Sequence, residues 1–147
     1  PSPFISWFMM PVVFITRKAH FNAAHRLHNP AKSDEWNRNT YGKCNSPNWH
    51  GHNYQIEVTV AGEPNPETGY VMDLADLHQI ILERIIDPCD HSNLNLDVDF
   101  LAGVIPSSEN LVVAFWNQIE PHIEGARLES IKLFETARNV VEYRGNQ

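Results

Sequence analysis

From His52 to Gly62 the chain keeps a two-residue period. Tyr54, Ile56, Val58 and Val60 are apolar, and Gln55, Glu57 and Thr59 between them are polar or charged. Such a pattern sorts its residues onto two faces only in an extended strand, so the segment predicts a half-buried β-strand. Val12 to Arg26 reads as a second strand: Phe21, Ala23 and His25 share one parity, and Asn22, Ala24 and Arg26 take the other. A sheet with one apolar face needs a second layer, and two amphipathic segments can supply it. Asp73 predicts a helix cap, with Asp76 near the positive end of the helix dipole. Leu74, Leu77, Ile81 and Ile85 then recur at helical spacing until Pro88. Pro106, Ser107, Ser108 and Glu109 predict a second helix start, followed by Leu111, Phe115 and Ile119, with Pro121 at the end.

Leu128 to Thr136 and Asn139 to Arg144 predict two closing strands. The expected order is β-β-α-α-β-β, an α+β fold with an antiparallel sheet and two helices on one face. Leu27 to Pro47 is rich in Asn, Ser, Pro, Lys and Gly and predicts a long functional or mobile loop.

The first ten residues, PSPFISWFMM, are apolar but lack a basic leader, so residues 1–11 are expected to be an N-terminal extension and 12–147 a single domain. A net charge of −7 argues against a nucleic-acid partner, and no apolar run approaches the roughly 20 residues needed to span a bilayer. With only Cys44 and Cys89 and no secretory pattern, a cytoplasmic protein with unpaired thiols is expected.

His50-Gly51-His52 is the sharpest local motif. Residues two apart on a strand point the same way, so the two imidazoles can converge on one metal ion. Gly51 suits a close backbone approach or an unusual φ. His25, on the core-facing parity of its own strand, is the best third ligand, and three ligands with one open position suit a catalytic zinc. Against this, a His-x-His pair arises often by chance. His20, His28, His78 and His122 read as surface or loop residues.

Cys44 lies in KCNSPNWHGH, beside Lys43 and close to the metal that the histidines imply. Cationic neighbours favour thiolate. A catalytic base or nucleophile, a fourth zinc ligand and an idle loop cysteine all fit the spacing. Asp90-His91 can form an oriented acid–base pair or merely a polar exit from the first helix. Cys89 reads as a small buried hydrophobe. Glu135 shares the parity of Ile131 and Leu133, where a carboxylate needs a donor. A ligand's amide and amino group would serve, as would an Arg or a strand end already leaving the core.

Taken in order, FNAAHRL, KCNSPNWHGHNY, PCDHSNLN, PSSEN and KLFET resemble the 6-pyruvoyltetrahydropterin synthase family over roughly Phe14 to Gly145. The resemblance implies the tunnelling architecture (T-fold), in which such subunits oligomerise into a barrel, typically a homo-hexamer with active sites between subunits. It implies one Zn2+ per subunit on His25, His50 and His52, catalytic Cys44, Asp90 and His91, and Glu135 as the pterin anchor. Ser107, Ser108 and Glu109 match a helix start near the pterin. The triphosphate-binding residues are not placed. The implied activity is a lyase reaction that turns 7,8-dihydroneopterin triphosphate into 6-pyruvoyltetrahydropterin. The sister 6-carboxytetrahydropterin synthase of queuosine biosynthesis shares fold, zinc and substrate but often has three residues between its cysteine and His-Gly-His. Here there are five, Asn45 to Trp49, as in the pyruvoyl branch. A non-catalytic zinc- or pterin-binding protein is the remaining alternative.

Overall fold

The two alternating segments become two long strands in the computed structural model, which describes residues 11–146. All but the last residue of the expected N-terminal extension lies outside the described residues. Strands β1 (Val13–His25) and β2 (His50–Gly62) run antiparallel in unbroken register, from Val13 opposite Gly62 to His25 opposite His50. Strand β3 is only Ser92–Asn93, paired in parallel with Ala23 and Ala24 of β1. Strands β4 (Arg127–Phe134) and β5 (Val140–Tyr143) complete the order β3-β1-β2-β4-β5. The sheet is therefore mixed: the expected antiparallel strands are present, and the parallel β3 is too short to leave a sequence pattern.

Three helices accompany it. Helix α1 (Asp34–Tyr41) leads into a 3-10 turn, Gly42–Asn45. Helix α2 (Leu74–Ile81) continues through a π turn, Leu82–Ile86, and a last turn, Asp87–Cys89. Helix α3 is Ser108–Ile119. Asp73 caps α2 by accepting from the Ala75 N–H at 2.9 Å, and Ser107 caps α3 by accepting from the Asn110 N–H at 3.2 Å.

Helix α1 corrects the expectation of an irregular loop over 27–47. Ser33 accepts from the Trp36 N–H at 3.0 Å, and Asp34 and Glu35 occupy the first turn. The Asn-rich composition misleads because Asn37 is wholly buried and acts as an internal pin. Its amide accepts from the Asn29 N–H at 2.7 Å and donates to the Asn29 and Ser33 carbonyls, both at 2.9 Å. The α2 run likewise passes Pro88. The π turn gives the Asp87 N–H the Leu82 carbonyl as its acceptor, a widened turn immediately ahead of the proline.

One face of the sheet packs on α2 and α3. Phe21, Tyr54, Ile56, Val58, Val60, Ile131 and Leu133 from the strands meet Leu77, Ile81, Ile85, Leu111, Phe115 and Ile119 from the helices in one buried cluster. Burying each large side chain stabilises by about 1.5–3 kcal/mol. Phe21 stacks on Tyr54 at 4.9 Å and meets Phe115 edge-on at 5.8 Å. The opposite face is mostly polar, with Phe14 and Val140 exposed on it. Lys18, Glu57, Lys132 and Glu142 lie in one cross-strand row of alternating charge, the arrangement that favours pairing in this register.

Candidate metal centre and its surroundings

The β1–β2 register sets the histidines together. His25 faces His50 directly, His52 stands opposite Ala23, and all three share the core-facing parity. Their rings lie 4.5 Å (His25–His50), 5.1 Å (His25–His52) and 5.0 Å (His50–His52) apart, centroid to centroid. One nitrogen from each falls within 4.8 Å of the others, so the group can hold a metal ion. Two observations fit a cation there. His50 Nδ1 and His52 Nε2 are shielded from solvent with no hydrogen-bond partner among the described residues, a costly arrangement unless a ligand completes it. His25, 1 % exposed, has its Nδ1 2.8 Å from the Pro106 carbonyl oxygen. A carbonyl only accepts, so Nδ1 carries the proton and Nε2 keeps its lone pair, the arrangement typical of a metal-binding histidine.

Electrostatics agree. Burial pushes the His25 imidazole down to about 4, offset in part by the Pro106 bond and helped by His50 and His52. Burial, then His52, lowers His50 as well. Both rings are therefore neutral at neutral pH and ready to ligate. Tyr54, fully buried beneath them, places its hydroxyl 3.3 Å from His25 Nε2 and 3.4 Å from Nδ1. Burial, then Glu135, raises its ionisation far above the ordinary phenol range.

Glu135 lies beside this group, one residue beyond the end of β4, which stops short of the expected Thr136. Its Oε1 lies 3.7 Å from His52 Nε2, too long for a hydrogen bond, and its Oε2 accepts from Ser108 Oγ at 2.9 Å. The carboxylate is thus oriented with one oxygen uncommitted. It opens on a cleft of about 540 Å³ whose lining includes Leu27, Tyr41, Ser107, Ser108, Glu109 and Arg138. Ser107 spends its hydroxyl as the α3 cap, while Ser108 sets Glu135 and Glu109 is exposed at the rim.

The remaining candidates are spread out. Cys44 is exposed in the 3-10 turn, and its carbonyl accepts from the Leu27 N–H at 2.8 Å, which ties the turn to the residues just after His25. Asp90 and His91 lie on the β3 side of β1. Asp90 Oδ1 accepts from the Asn22 N–H at 2.9 Å, the His91 N–H donates to the Asn22 carbonyl at 2.6 Å, and His91 Nδ1 is 3.0 Å from Asp90 Oδ2. The Asn22 bond, more than His91, holds the Asp90 carboxyl below its ordinary value. His91 has a φ of 58°, a left-handed conformation uncommon in a non-glycine residue. Among the described residues no hydrogen bond or ion pair joins Asp90 or His91 to Cys44 or Glu135. Cys89 is buried and free, its thiol pushed by burial up to about 12.

Two readings of the sequence need amendment. Gly51 is not sterically required: a Cβ there would meet the Ala23 carbonyl at an ordinary 3.5 Å, and the positive φ belongs to Trp49, at 66°. His78 is not simply a surface residue, since its Nδ1 is shielded from solvent. Sequence reasoning also passed over Tyr54, although its parity with His50 and His52 marks it. The Pro106 carbonyl, as backbone, has no sequence signal.

Residues 14–146 match the family described as 6-pyruvoyl tetrahydropterin synthase. The 6-pyruvoyl tetrahydrobiopterin synthase of Poecilia reticulata is 47% identical over 132 residues, covering 90% of this chain and 90% of that protein. The Homo sapiens protein of that name is 44% identical over 131 residues, covering 89% and 90%. The structure of Caenorhabditis elegans 6-pyruvoyl tetrahydropterin synthase superposes with a TM-score of 0.88 at 38% identity, over 93% of this chain and 98% of that one.

Proposed function

The chain belongs to the 6-pyruvoyl tetrahydropterin synthase family, and we propose that it is a zinc-dependent lyase converting 7,8-dihydroneopterin triphosphate to 6-pyruvoyltetrahydropterin and triphosphate. One observation carries this reading: three convergent histidines stand beside a carboxylate with a free oxygen facing a cleft.

Three imidazoles with a further position open suit one zinc per chain. Bound there, the metal would act as a Lewis acid toward the substrate's side-chain hydroxyls and acidify the adjoining C–H bonds. Glu135 accepts the pterin's ring N–H and exocyclic amino group together; Ser108 occupies only one lone pair of Oε2, leaving room for both. That grip fixes the ring's rotation and so the direction of its side chain. Cys44 and the Asp90–His91 pair move protons at the side-chain carbons. The reaction balances within the substrate: loss of triphosphate leaves a methyl ketone, and the two electrons released in forming the second carbonyl reduce the dihydropterin ring. No external redox partner is required.

The roles of Cys44, Asp90 and His91 rest on the family resemblance, as does a homo-hexamer with sites between chains. Their separation and exposure within one chain suit that assembly. So does β1, whose outer side is paired only at Ala23 and Ala24 among the described residues. No helix among the described residues is long and apolar enough to cross a membrane, and a cytoplasmic setting belongs to this reading.

The test is the mass of the product formed from 7,8-dihydroneopterin triphosphate by zinc-replete protein. A tetrahydropterin retaining its three-carbon side chain is expected. A 6-carboxy product would overturn the pyruvoyl assignment, and unchanged substrate would overturn enzymatic function.

A further inference from the structure

A second cleft, of about 490 Å³, lies between the end of β1, α1 and the Gly42–Asn45 turn, and its lining includes Arg26, His28, Asp34, Arg38, Asn45 and Ser46. We propose that it is a polyphosphate subsite that receives the triphosphate group of the substrate; this rests on the function proposed above.

Two arginines in one cleft are notable in a chain of net charge −7. Among the described residues neither has a carboxylate within 4.0 Å, whereas Arg127 and Arg144 both pair with glutamates. Arg26 is held in place before any ligand arrives. The Asn95 side chain clasps its backbone, accepting from the Arg26 N–H at 3.0 Å and donating to the Arg26 carbonyl at 2.9 Å. Its guanidinium donates to the Asn45 carbonyl at 2.9 Å and sits 6.0 Å from the centre of the Trp49 ring. Its Nε is shielded from solvent and has no partner among the described residues. A guanidinium so fixed, with donors to spare, is matched to phosphate oxygens.

Buried Asn45 also sets the histidine. Its Nδ2 donates to the Leu27 carbonyl at 2.7 Å and lies 3.0 Å from His28 Nδ1. Both amide hydrogens are then used as donors, so His28 Nδ1 accepts and the ring's proton sits on Nε2 as one more donor.

The position suits the far end of a substrate anchored at Glu135. Leu27 and Tyr41 line the Glu135 cleft, and their chain neighbours Arg26, His28 and Gly42 line this one. The Leu27–Cys44 backbone bond joins a residue lining the Glu135 cleft to the chain neighbour of Asn45, which lines this one. The two clefts thus share the chain segments that carry His25 and Cys44.

Asp34 is the one carboxylate among these lining residues and opposes an anion, which gives the test two signs. Arg38 and Asp34 are both exposed on α1, so neither Arg38→Gln nor Asp34→Asn endangers the fold. Inorganic triphosphate is titrated by calorimetry into zinc-replete wild type and both variants at low ionic strength, where charge effects are least screened. Arg38→Gln should weaken binding by on the order of tenfold, and Asp34→Asn should tighten it by roughly threefold. KM for dihydroneopterin triphosphate should move in the same directions, while affinity for unphosphorylated dihydroneopterin stays constant in all three. Equal triphosphate affinities across the three proteins would overturn the subsite, even if wild type turns over its substrate. The two-signed pattern without any turnover would uphold the subsite and sink the functional reading instead.

Discussion

His25 donates its Nδ1 hydrogen to the Pro106 carbonyl oxygen at 2.8 Å, which ties the end of β1 to the residue just ahead of the α3 cap. The bond joins a strand to a helix entry that lies 81 residues away in the chain. It selects the tautomer in which Nε2 carries the lone pair, and burial keeps that ring neutral.

Acid should therefore destabilise the metal-free protein. The His25 pKa is about 4 when folded, against 6.5 for the free imidazole. Between these values the unfolded chain binds more protons, so stability rises with pH through the window and falls as pH drops. The contribution is fully present above about 6.5 and lost as pH approaches 4, at most about 3 kcal/mol. Denaturant melts of chelator-stripped protein at pH 7 and pH 4.5 should show the loss, and His25→Gln should flatten it. An equal slope in the variant would assign the acid sensitivity elsewhere.

Replacing His50 or His52 by Ala should remove the metal and leave a folded chain. The buried cluster of strand and helix side chains does not include either residue. Metal analysis and circular dichroism check the two halves. Retained metal in both variants would displace the site, and unfolding would make the metal structural.

Much of this centre was legible in the sequence because strand parity dictates side-chain direction. His25, His50 and His52 all fall on the core-facing side that alternation assigned them, whereas Glu135 stands one residue past the end of β4 and still lies beside His52. The N-caps Asp73 and Ser107 were equally readable, since their side chains satisfy neighbouring backbone donors. What escaped depends on distant backbone or on buried polar pins. The α1 helix is anchored through Asn37, a residue type that composition assigns to loops. The Pro106 carbonyl and the Asn22 backbone groups that hold Asp90 and His91 carry no residue signature. Strand β3 has two residues, too few for a period.

Cys44→Ala should keep zinc and pterin binding while turnover falls by about 10²–10⁴-fold, the usual effect of removing a proton-transfer group. The residue is exposed, so the substitution disturbs no packing. Metal content measured beside the rate separates the readings: loss of zinc in this variant would make Cys44 a ligand.

Glu135→Gln preserves shape but replaces one acceptor by a donor. Pterin affinity should fall by about 1.5–3 kcal/mol, the range for hydrogen bonds to a charged group, with zinc unchanged. Because Oε1 lies 3.7 Å from His52 Nε2, metal content is the decisive control. Loss of zinc would place Glu135 in the metal's coordination, and equal pterin affinity would leave it a structural carboxylate.

The central claim is that the three histidines hold the metal on which turnover of 7,8-dihydroneopterin triphosphate depends. Its most direct test is a zinc titration of chelator-stripped protein, with released triphosphate measured at each step. Turnover should be near zero without metal, rise linearly with added zinc and level off at about one zinc per chain. Full triphosphate release by the stripped protein, or none at any zinc loading, would contradict the account.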